Sequence, residues 1–142
     1  MFKTAIVIPD THFPLHDQSA CNIVLQAIEI VKPNIFINLG DVGEWESVSH
    51  WKYKRRKRPP LEYQLPLIDE EIRLVNLEID KFDKVLNKVK CEDRYILQGN
   101  HDAWLDDFVL YELNKVAREP IEHGSTLRYS TPFGDFIINL KE

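Results

Sequence analysis

Three short apolar runs, each closely followed by Asp, His or Asn, constrain this chain more than any other feature. Residues 4–9 (TAIVIP), 35–39 (IFINL) and 94–98 (RYILQ) are rich in β-branched or aromatic side chains and read as strands. Between the first two, apolar residues fall at Ala20, Ile23, Val24, Ala27, Ile28 and Val31, the spacing of one helical face across 17–31. Lys32-Pro33 closes that helix. Between the second and third, Ile72, Val75, Ile79, Phe82, Leu86 and Val89 recur at three or four residues and predict a long helix over 69–90. Shorter helices are expected at 44–51 and 104–118, and the stretch through Pro59-Pro60 reads as a loop. Residues 127–129 and 135–140 read as two further strands around a turn at 131–134.

Strand, helix, strand, helix, strand with apolar strands is the pattern of a parallel sheet covered by helices, an α/β class with a βαβαβ core. After the first strand comes Asp10-Thr11-His12 rather than a glycine-rich phosphate-binding turn, which argues against a dinucleotide fold. The 142 residues correspond to one domain, 1–142. A hydrophobic content of 44% beside 29% charged residues rules out wholesale disorder. The first ten residues hold neither a signal peptide nor a membrane span, so no membrane association is expected. Cys21 and Cys91 are too few for a disulfide framework and are expected as buried thiols in a cytoplasmic, reducing setting.

The net charge of −5 conceals an asymmetry. Six of the 18 basic residues are Lys52, Lys54, Arg55, Arg56, Lys57 and Arg58, which leaves 12 basic against 23 acidic residues elsewhere. A basic island on an acidic body argues against coating of nucleic acid by the whole surface and for local attraction of a polyanion. Trp45, Trp51 and Tyr53 lie in or beside the island. Two readings stand side by side: a substrate loop that stacks bases and grips phosphates, or a short helix that buries Trp45, Val48 and Trp51 while the cations are solvated. Helical spacing favours burial of the two tryptophans.

The strand ends carry the chemistry. The first is followed by Asp10 and His12, the second by Gly40-Asp41, the third by Gly99-Asn100-His101-Asp102. In a parallel sheet all carboxyl ends share one edge, where ligands bind. Glycines before Asp41 and Asn100 permit sharp turns that bring those side chains inward. The result is one expected crevice lined by Asp10, His12, Asp41, Asn100 and His101. Singly, each motif is equally a turn or a helix cap; in order, at three successive strand ends, they point to a metal site. Carboxylate, imidazole and amide donors without thiolate suit Mn²⁺, Fe, Zn²⁺ or Mg²⁺.

The ordered set Asp10-x-His12, Gly40-Asp41-x-x-Glu44 and Gly99-Asn100-His101-Asp102 resembles the calcineurin-like metallophosphoesterases over residues 3–140. The resemblance implies a sandwich of two sheets flanked by helices and a hydrolase that uses two divalent metal ions. It implies that Asp10 and His12 hold the first metal, Asp41 bridges both and Asn100 binds the second. His101 would then face the scissile phosphate, with Asp102 orienting it. Two cations about 3.5–4 Å apart can generate hydroxide at neutral pH and clamp an in-line displacement on a phosphodiester, nucleotide or phosphomonoester.

Two departures qualify that pattern. Position 44 is Glu where the family usually has Asp or Asn, and no Gly-His-x-His follows the third motif. His16 and His50 belong to loops near the first two motifs, and His123 reads as a loop or cap. The chain is therefore expected to be the N-terminal part of a longer, C-terminally incomplete domain, with a weak second metal site and low phosphodiesterase activity. The alternative function is a non-catalytic module that binds metal or a polyanion.

Overall fold

The computed structural model describes residues 2–108 and the backbone of 127–131 and 134–138. Strands β1 (Ala5–Ile8), β2 (Ile35–Asn38) and β3 (Asp93–Ile96) form one parallel sheet in that order. Helix α1 (Gln18–Val31) links the first pair. A 3₁₀ turn (Glu46–Val48), the single helical turn α2 (His50–Tyr53) and the long α3 (Leu61–Lys88) link the second. The register Ile8↔Asn38↔Ile96 ends all three strands flush, so the loops after them leave from one edge. Helix α4 (Asn100–Phe108) follows, and β4 (Leu127–Thr131) pairs antiparallel with β5 (Gly134–Ile138) as a separate hairpin. The architecture is α/β, as expected, but the described residues form a three-stranded sheet and a hairpin rather than a two-sheet sandwich.

Side chains alternate along each strand, and among the described residues the helices pack on one face of the sheet. Ile8, Phe36 and Ile96 face α1 and α3, where they pack with Ile28, Val75, Ile79, Phe82 and Leu86. Phe82 sits with its ring centre 6.0 Å from those of both Phe13 and Phe36. The stripe read on α3 is this core: four of its six residues are buried, and Ile72 and Val89 pack at its margin. On the same face Arg94 reaches Asp83 of α3 at 3.0 Å, and burial pushes the Asp83 carboxyl upward against the pull of that guanidinium. Val7, Leu39, Tyr95 and Leu97 point the other way and are about half exposed.

Local chemistry sets most boundaries. Asp17 caps α1 by accepting from the backbone N–H groups of Ser19 and Ala20, and Lys32 ends it in a left-handed conformation. Helix α3 starts at Leu61, eight residues before the expected 69, although Pro60 precedes it and Pro66 lies inside. Tertiary contacts hold this extension. Buried Gln64 donates to the Ser47 carbonyl at 2.7 Å, and one turn-pair later Glu71 accepts from the backbone of Glu46 at 2.6 Å and of Ser47 at 3.1 Å. Residues 44–51 are therefore not one helix but a 3₁₀ turn clamped by α3, followed by α2. Helix α4 begins on the third motif itself, four residues before the expected start; the rest of the expected 104–118 helix lies outside the described residues, as do the turn residues 132–133, 139–140 and His123. No helix among the described residues is long and apolar enough to cross a membrane.

Candidate metal centre

Backbone pairing continues past the sheet and draws the loops together. His12 N–H donates to the Asp41 carbonyl (2.9 Å), Phe13 N–H to the Val42 carbonyl (2.8 Å) and Glu44 N–H to the Phe13 carbonyl (2.9 Å). The loops after β1 and β2 thus run side by side, and Asp10 and His12 lie next to Asp41 and Glu44. The third loop closes on the second through two glycines. Gly40 adopts φ +107°, and a Cβ there would stand 2.5 Å from the Gly99 nitrogen; a Cβ on Gly99 would collide with the Asp41 carboxylate. That approach lets Asp41 Oδ1 accept from His101 N–H at 2.8 Å, at the amino end of α4, where unpaired N–H groups favour an anion.

Two overlapping sets of donors result. Ligand atoms of Asp10, His12 and Asp41 lie within 4.8 Å of one another, and so do those of His12, Glu44 and His101. Imidazole nitrogens with carboxylate oxygens and no thiolate fit a borderline or hard divalent cation. Asp10 (φ 43°), His12 (φ 47°) and Asp41 (φ 48°), all of the first set, adopt left-handed backbone that costs a non-glycine residue energy. Of the other non-glycine residues with positive φ, Lys32 and Lys90 sit at helix ends and Trp45 lies in the same edge region.

Glu44 explains how the imidazoles are held. His12 Nδ1 lies 2.8 Å from Glu44 Oε2, and His101 Nδ1 lies 2.9 Å from the Glu44 carbonyl. A carbonyl and an ionised carboxylate only accept, so both Nδ1 atoms carry protons and each Nε2 is left free. A carboxylate behind an imidazole is the usual support for a metal-binding histidine. The two rings meet edge to face, 4.6 Å between centres.

The Asp102 carboxylate joins the loops through their backbone. Its carboxylate accepts from the N–H of Val42 (3.1 Å), Gly43 (3.3 Å) and Gly99 (2.9 Å) and from the Trp45 indole (2.9 Å), while the His101 ring turns to Glu44. The Gly99 bond is half of a capping box on α4. Asp102 clips the second and third loops together. Asn100 is exposed at the first position of α4, and Asp10 is also exposed. Trp104 stacks on His101 with ring centres 3.9 Å apart, and His50 also stacks with Trp104 at 5.9 Å. His16 instead faces α3, 3.4 Å from Glu78 and edge-on to Phe13, away from the donors.

The sequence missed three supports: Glu44 as the orienting group, and Gln64 with Glu71 on α3. The last two are spaced seven apart on one helical face, a polar pair at core-facing positions that signals a buried partner. Trp45 and Val48 are buried as expected, but Trp51 is 69% exposed because the helix that would have buried it breaks at Ser49. Cys91 is buried and Cys21 half-buried, and burial pushes both thiols up.

Comparison with protein-family models, curated proteins and solved structures gives no match to this chain.

Proposed function

We propose that the carboxyl edge of the sheet is a divalent-metal centre for phosphoester hydrolysis, in a fold of the two-sheet metallophosphoesterase type. The convergence of Asp10, His12 and Asp41 from two loops, with His101 from a third hydrogen-bonded to Asp41, carries this reading. Asp10, the free Nε2 of His12 and Asp41 would hold one cation, and exposed Asn100 would contribute to a second. Such cations supply positive charge toward phosphoryl oxygens and acidify water. The half-exposed face of Val7, Leu39, Tyr95 and Leu97 is the side on which a second sheet would pack.

The chain's own groups have defined parts in this scheme. Glu44 holds His12 with Nε2 unprotonated and available. The Glu44 carbonyl and the Trp104 ring fix His101 so that its Nε2 can donate, once protonated, to a phosphoryl or leaving oxygen. Asp41 accepts from the α4 backbone at Oδ1, and its carboxylate would help hold a cation.

Turnover of bis-p-nitrophenyl phosphate with Mn²⁺ tests the reading. It should be abolished by EDTA, and His101→Ala should lower it by about 10²–10⁴-fold with metal content unchanged. Turnover that persists in EDTA, or loss of metal in His101→Ala, contradicts it. Metal binding without any turnover would favour the non-catalytic module instead.

A further inference from the structure

We propose that the surface of Trp51, Lys54, Arg55, Arg56 and Lys57 is a single-stranded nucleic-acid platform that delivers a polynucleotide phosphodiester to the metal centre. The proposal rests on the phosphoesterase reading and names its substrate class.

The six-residue basic island divides in the structure. Lys52 is committed to Glu46 at 2.8 Å, and that hydrogen bond holds its ammonium charge more firmly than usual. Arg58 lies over the rings of Tyr53 (5.0 Å) and Phe108 (5.9 Å), so it serves packing. Lys54, Arg55, Arg56 and Lys57 are exposed, and among the described residues none has a carboxylate partner. Trp51 is turned outward beside them, with the Lys54 ammonium 5.3 Å from its ring centre. Trp51, Lys54, Arg55 and Arg56, together with Glu46 and Lys52, line an open concavity of about 550 Å³, and Lys57 follows them directly in the chain.

The platform adjoins the candidate centre through a chain of rings. Trp51 follows His50, His50 stacks with Trp104, and Trp104 stacks with His101. Cations alone would take any polyanion, but an exposed indole among them offers a face to a base, which a polyphosphate or a sulfated sugar cannot use. Outside residues 52–58 the chain carries 12 basic against 23 acidic residues, a balance that disfavours a polyanion elsewhere.

Fluorescence anisotropy with a labelled dT oligonucleotide in EDTA tests the proposal. Wild type should bind with clear salt dependence. Replacing Arg55, Arg56 and Lys57 by Ala should flatten the slope of log affinity against log salt by about 2. Trp51→Ala should weaken binding about tenfold while leaving heparin binding unchanged, and Trp51→Phe should restore most of the loss. No binding by wild type, oligonucleotide affinity indifferent to Trp51→Ala, or equal losses for heparin and oligonucleotide would overturn it. Because binding is read in EDTA, its failure is separate from a failure of Mn²⁺-dependent turnover on the small diester, which strikes the hydrolytic reading.

Discussion

The helix-covered face of the sheet and its carboxyl edge are built on opposite principles. On the face, Ile28, Phe36, Phe82 and Leu86 pack in regular helices and strands with ordinary backbone. At the edge, Asp10, His12, Asp41 and Trp45 hold left-handed backbone, and carboxylates crowd together with two imidazoles. The face supplies the stability that lets the edge keep strained, polar geometry, and that concentration of strain at one edge is what the proposed site draws on.

The contrast can be broken most strongly at the core. Phe82→Ala should cost about 3–5 kcal/mol of unfolding free energy. Measured by urea titration, that loss should leave the metal affinity of the folded fraction unchanged. A parallel fall in metal affinity would mean that the two regions are not separable.

Asp102→Ala lies between the two regimes. It strips a carboxylate from three backbone N–H groups and the Trp45 indole, and should cost about 2–3 kcal/mol. Metal affinity should fall with it, because the loops it joins carry Asp41 and His101. If Asp102 only oriented His101, stability would hardly move and turnover alone would suffer.

Glu44→Gln sharpens the comparison from the edge side. Its effect on stability should stay within about 0.5 kcal/mol, whereas metal affinity should drop by roughly 10–100-fold as His12 loses its supporting carboxylate. Calorimetric titration with Mn²⁺ reads both the affinity and the stoichiometry. An unchanged affinity would remove Glu44 from the centre.

The fold was legible where periodicity and burial coincide. The three strands, α1 and the stripe from Val75 to Leu86 follow from spacing alone, because apolar burial drives them. The α3 start and the split of 44–51 were hidden because Gln64 and Glu71 decide them across the chain, overriding Pro59, Pro60 and Pro66 locally. At the site, Asp10, His12, Asp41 and His101 were legible as strand-end residues, since a parallel sheet must gather them. The parts of Glu44 and Asp102 were not, because each turns on which of several nearby donors a carboxylate meets, and sequence distance carries no trace of that.

The proposed metal centre is tested most directly by Mn²⁺ titration of wild type against His12→Ala. His12 belongs to both donor sets, so wild type should bind Mn²⁺ and the variant, still folded by circular dichroism, should lose it. A wild-type protein that binds no divalent cation, or a folded His12→Ala protein that binds as tightly as wild type, would contradict the account.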